Sequence, residues 1–155
     1  ENVLGSASTG LFLALMIKLN LANLTLLKVG FAASFAAKLA DTFGSEIGKR
    51  YGKNTFLITT FKKVRQGTEG AISLEGTIAS LFGALIMSFV MFILGFITIE
   101  KGFFIVCFSG FAATIFESFI GATFQDKFNL SNEAVNAIQT SFSATLAIFS
   151  YKFIF

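Results

Sequence analysis

Lys38, Asp41 and Glu46 stand near the end of a long apolar stretch, in the run Ala36 to Gly48 (AAKLADTFGSEIG). Charge is expensive in hydrocarbon, so ionisable residues at the end of such a stretch make a functional site at a membrane surface the first reading. The chemistry open to that site is narrow. The chain has no His, which removes imidazole catalysis and His-ligated metals, and its single cysteine, Cys107, lies in an apolar segment with no partner for a disulfide or a zinc site. Any acid, base or metal ligand is therefore an oxygen or a lysine. Carboxylates at Asp41, Glu46, Glu117 and Asp126 suit a hard cation such as Mg2+, and nearby Lys and Arg suit phosphate.

The elements that position these residues follow from composition. The 155 residues are 54% hydrophobic and 14% charged, with a mean hydropathy of +0.76, and apolar stretches of bilayer-spanning length recur. This is the composition of an all-α integral membrane protein, a single domain over 1–155. Five spans are expected, at roughly 4–19, 26–47, 77–98, 102–124 and 132–154. Phe is abundant while Trp and Pro are absent, which fits lipid-facing bulk and leaves only Tyr51 and Tyr151 for an interfacial belt. Glu1 is not an initiator Met, so the chain is expected to be processed or truncated.

The loop 48–75 holds Lys49, Arg50, Lys53, Lys62, Lys63 and Arg65, and by the positive-inside rule it faces the cytoplasm or its organellar equivalent. That orientation brings Asp41, Glu46, Glu117, Gln125, Asp126, Asn132 and Asn136 to the side of the basic loop. Helical spacing gives three stripes: Ser34, Lys38, Asp41, Ser45 and Gly48 on helix two; Gly110, Ala113, Glu117 and Gly121 on helix four; Asn132, Asn136, Gln139 and Ser143 on helix five. Small residues permit close approach, so the stripes are expected to face one another. The plainer reading is interhelical glue, with Lys38 neutralising Asp41 one turn away. GFAAS at 30–34 and GFAAT at 110–114 also suggest a weak internal repeat.

Within the loop, TFLITTF is β-prone and GTEGAISLEG is glycine-rich, so a short strand pair leading into helix three is expected. Amides of such a turn can cradle phosphate, which nominates Gly67, Thr68, Gly70 and Ser73, with Lys49, Lys62 and Arg65 supplying charge. The sequence is neither a Walker motif nor a dinucleotide fingerprint. A basic loop of this kind also suits adhesion to anionic lipid headgroups.

The run Ala33 to Gly76, with ADTFGSEIGKRYGKNTFLITTFKKVRQGTEGAISLEGT, resembles the integral membrane family that includes plant and cyanobacterial phytyl-phosphate kinases. NVLGSASTG at 2–10, IGATFQDK at 120–127 and SNEAVNAIQTSFSA at 131–144 resemble its flanking motifs, so the likeness covers nearly the whole chain. Family members usually carry further N-terminal hydrophobic sequence, which is expected to be missing here. The resemblance implies a membrane prenyl-phosphate kinase that moves the γ-phosphate of CTP or ATP, with Mg2+, onto phytyl monophosphate, in a plastid or cyanobacterial membrane. With that reading, Asp41 is the leading metal ligand, followed by Glu46, Glu117 and Asp126. Lys38 belongs to the catalytic group, and Ser45, Gln125, Asn132 and Asn136 give polar support. The expected partners are the prenyl phosphate and membrane lipid, without nucleic acid; homo-oligomerisation stays open. The rival readings are a CTP-dependent lipid cytidylyltransferase, an ion-coupled transporter and a non-catalytic assembly factor.

Overall fold

Apolar backbone can satisfy its own polar groups inside hydrocarbon as helix, and a chain without proline meets no obstacle to it. The computed structural model describes residues 3–155 and is mostly helical, with five α-helices: α1 Val3–Lys18, α2 Leu24–Tyr51, α3 Leu74–Ile93, α4 Phe104–Ile120 and α5 Asn132–Ile154. Short π-helical segments, Ile99–Phe103 and Gly121–Gln125, extend α4 at both ends. Two strands, β1 Thr55–Leu57 and β2 Ala71–Ser73, pair antiparallel between α2 and α3 with Phe56 opposite Ile72.

Helix starts are fixed by side chains. Asn23 accepts from the amides of Thr25 and Leu26, Ser73 from Gly76 and Ser131 from Ala134, each taking up a backbone donor that the first turn leaves without a helical partner. Ser73 therefore starts α3 at Leu74, ahead of the expected 77. The same helix stops at Ile93 rather than 98, because the chain turns at Gly95, whose φ of 72° suits glycine.

α2 is the centre of the bundle, packed against all four other helices. Its inner surface is small and apolar: Val29, Ala32, Ala33, Ala36, Ala37 and Ala40 are buried. Against it lie Gly110 of α4, where a Cβ would come within 2.8 Å of the Ala36 Cβ, and Gly83 of α3, where a Cβ would come within 2.8 Å of the Ala40 Cα. α5 is tied on by Ser143, whose hydroxyl donates to the Ala33 carbonyl at 2.9 Å, and by Gln139, whose amide donates to the Ala37 carbonyl at 3.5 Å. The expected stripes thus do meet, and the inner part of the helix-five stripe serves as glue.

The contacts also fix direction. Gly5 abuts Glu133, Ala40 abuts Gly83, Ala36 abuts Gly110 and Lys38 bonds to Asn136. α2 and α4 therefore run one way, and α1, α3 and α5 the other. Outward, α3 exposes Phe82, Ile86, Phe89 and Ile93, and α4 exposes Phe104, Phe108 and Phe119, a surface suited to lipid. Two helical segments, Leu74–Ile93 and Ile99–Gln125, are long and apolar enough to cross a membrane.

Candidate functional site

Where α2 and α4 end and α3 and α5 begin, the bundle opens into a polar cleft of about 380 Å3, roofed by residues 67–73. Lys38 lies at its base. Its ammonium donates to Asp41 Oδ2 at 2.8 Å and to Asn136 Oδ1 at 2.9 Å, so one side chain joins successive turns of α2 and crosses to α5. This is the only ion pair among the described residues, with side chains 32% and 15% exposed. Glu117 reaches the cleft from α4, Glu46 and Lys49 from the last turns of α2, and Asn132 from the start of α5. Ser45 lines it too, its hydroxyl donating to the Thr42 carbonyl at 3.2 Å.

Local geometry explains why the roof lies where it does. Gly70, with φ 71°, sits so close to the π-helical turn after α4 that a Cβ would collide with Ala122 and the Ser118 carbonyl. Gly121 answers it, for its own Cβ would lie 2.9 Å from the Gly70 nitrogen. Backbone meets backbone here, which only glycine allows. Gly67, with φ 81°, has open space where a Cβ would be. Gln66 fastens the roof from the other side by donating to the Gly52 carbonyl.

Of the residues singled out by sequence, Lys38, Asp41, Ser45, Glu46, Lys49, Gly67, Thr68, Gly70, Ser73, Glu117, Asn132 and Asn136 line this cleft. Four do not. Lys62 and Arg65 are exposed on the outer edge of the strand pair, where Lys62 offers its carbonyl to the Leu57 amide at 2.9 Å. Asp126 is exposed beyond the turn that ends α4, and Gln125 is buried beside it, donating to Asn132 Oδ1 at 2.9 Å. The glycine-rich turn is also less open as an amide cradle than its composition suggests. The amides of Thr68 and Ala71 bond within the turn, the Thr68 hydroxyl donates to the Arg65 carbonyl at 2.7 Å, and the Ser73 hydroxyl is occupied capping α3.

Sequence reasoning passed over Glu69 and Thr55, which both line the cleft. Glu69 was visible inside GTEG as an acid between candidate phosphate residues. Thr55 is 6% exposed, and its hydroxyl is buried without a hydrogen-bond partner. Nothing in the local sequence marks it.

The donor chemistry decides what metal could be accommodated. Asp41, Glu46, Glu69 and Glu117 all line the cleft, yet among the described residues no three carboxylates converge as a metal-binding group. An all-protein cage is thus not built here. One or two carboxylates, with water and a phosphate completing the shell, are what a Mg2+ ion bound together with a phosphate ligand would need.

The fold and the site define a helical bundle with an apolar outer surface and a polar cleft at one end. Residues 1–144 match the family described as "Integral membrane protein DUF92", and the chain belongs to it. Over 96% of its length the chain is 47% identical to a membrane protein of Synechocystis sp., covering 58% of that protein. It is 43% identical over 99% of its length to Protein VTE6, chloroplastic, of Arabidopsis thaliana, covering 48% of it. A membrane protein of Methanocaldococcus jannaschii is 34% identical over 79% of the chain, covering 51% of that relative. The chain thus spans about half the length of the relatives it matches. No solved structure matches it.

Proposed function

We propose that the chain is the site-bearing part of a prenyl-phosphate kinase of plastid or cyanobacterial membranes. In this reading it transfers the γ-phosphate of CTP or ATP to phytyl monophosphate, and all five helices cross the bilayer. The observation that carries the reading is the convergence of Lys38, Asp41 and Glu117 in one cleft at the bundle's basic end. The family resemblance and the relationship to chloroplastic and cyanobacterial proteins support it.

The acceptor is already an anion and needs little help from a base, so the burden falls on positioning and charge neutralisation. Asp41 and Glu117 would hold Mg2+, which would supply positive charge to the transferring phosphate. Lys38, already oriented by Asp41 and Asn136, has a third proton to direct at a phosphate oxygen. Lys49 would attract the nucleotide, and Gly67 leaves room for a phosphate near the backbone. The prenyl tail would run between helices toward the exposed Ile115 at the cleft's edge.

The test is incubation of the purified, reconstituted protein with γ-labelled CTP or ATP, Mg2+ and a panel of prenyl monophosphates. Transfer of label to the lipid with release of nucleoside diphosphate is expected. Release of pyrophosphate with a nucleotidyl-lipid product would assign the same cleft to cytidylyl transfer instead.

A further inference from the structure

The strand pair between α2 and α3 carries features that the cleft does not use. Leu57 to Lys62 form a tight turn, with the amides of Thr60 and Phe61 both donating to the Leu57 carbonyl. Lys63 then pairs back with Phe56, so β1 runs between β2 and a third extended segment. At the turn, Phe61 adopts φ 53° and is 71% exposed. A bulky non-glycine residue in the left-handed region is strained and is seldom kept without a task. The Phe61 phenyl ring stands clear of the packed surface of the bundle.

The charges around it also lack ionic partners among the described residues. Lys62, Lys63 and Arg65 are exposed, and no carboxylate pairs with them among the described residues. Lys63 has only the amide oxygen of Asn54, at 3.3 Å. Nor do they face the cleft. Ser73 at one end of β2 caps α3 directly, and at the other end the Ile58 amide donates to the Gly70 carbonyl at 3.1 Å while Gly70 packs against Ser118 and Ala122, so the turn springs from the level at which α4 ends. An apolar ring flanked by unpaired cations at that level has the chemistry of the headgroup layer: the ring enters the acyl boundary and the cations meet phosphates.

We infer that the turn Ile58–Arg65 is a membrane-surface finger, inserting Phe61 and binding anionic phospholipid headgroups through Lys62, Lys63 and Arg65. It anchors the segment from which the roof of the cleft continues, at Gln66 to Ser73. The inference is independent of which reaction the cleft performs.

The chain contains no tryptophan, so Phe61→Trp gives a single reporter at the tip. The full chain carrying this change is reconstituted in vesicles of phosphatidylcholine alone or mixed with phosphatidylglycerol, and its emission and quenching by brominated lipid are recorded. Blue-shifted, quenched emission that strengthens with phosphatidylglycerol and weakens in high salt is expected. Adding Lys62→Gln, Lys63→Gln and Arg65→Gln should move the emission toward that of water-exposed tryptophan, since each cation near an anionic surface contributes about fivefold to the inserted population. Water-like, unquenched emission in both vesicles overturns the proposal. So does emission that ignores lipid composition but responds to nucleotide, which would assign the finger to the cleft.

Discussion

Lys38 shares its protons between two acceptors on different helices, and this decides what a change at Asp41 should do. An amide at position 41 still offers an oxygen to the ammonium while removing the negative charge. Because the ammonium keeps an oxygen acceptor on each helix, losing the charge alone is expected to cost on the order of 1 kcal/mol in fold stability. A carboxylate that holds a metal is different, because charge and ligation vanish together. If the cleft is the proposed kinase site with Asp41 as a metal ligand, Asp41→Asn is expected to lower phosphotransfer by about 10²-fold or more while the purified variant still melts within a few degrees of wild type. Near-normal turnover would remove Asp41 from the reaction and leave it as the counter-ion of Lys38. A large fall in melting temperature with turnover intact would say the same.

Between elements, the bundle depends on how closely helix backbones approach α2. Gly83 is the clearest case, since an added methyl would meet Ala40 Cα and the Leu39 carbonyl at 2.8 Å, and neither can swing aside. Gly83→Ala is expected to push α3 away and destabilise the protein by about 1–3 kcal/mol, read as a lower melting temperature in detergent. An unchanged melting curve would mean that the helices are not so tightly apposed. Helices of this kind were legible in the sequence because apolar length and a 3.6-residue period act locally. Asn136 and Gln139 show the limit: one period places both on the inner face, but only the partner helix decides that Asn136 holds Lys38 while Gln139 binds the Ala37 backbone. The strand pair was legible as β-prone sequence, whereas its exposed face was not. Lys62 and Arg65 fall outside the cleft because Gly70 docks on Gly121 across the fold, a contact that no local pattern announces. Thr55 was hidden for the same reason, being an ordinary strand residue until the roof folds over it.

At the scale of the whole molecule, charge and helix direction make one statement about orientation. The cleft end of the bundle carries Lys49, Arg50, Lys53, Lys62, Lys63, Arg65 and Lys127, whereas Lys18, Lys28, Lys101 and Lys152 mark the opposite end. By the positive-inside rule this excess predicts that the cleft faces the cytoplasm or stroma, the side on which the proposed kinase would meet its nucleotide. Cysteine scanning suits the question because Cys107, the single native thiol, is buried. In a Cys107→Ser background, Asn54→Cys and Asn129→Cys are expected to react with an impermeant maleimide from the cytoplasmic or stromal side alone. Leu21→Cys, Lys101→Cys and Lys152→Cys should react only from the other side. This alternation requires α2, α3, α4 and α5 all to cross, including α2 and α5, whose embedded polar residues keep them from reading as plain membrane spans. Labelling of Leu21→Cys and Asn54→Cys from one side would take α2 out of the bilayer. A full inversion of the pattern would instead keep every crossing but separate the cleft from its nucleotide, and the kinase reading would fall while the fold stood.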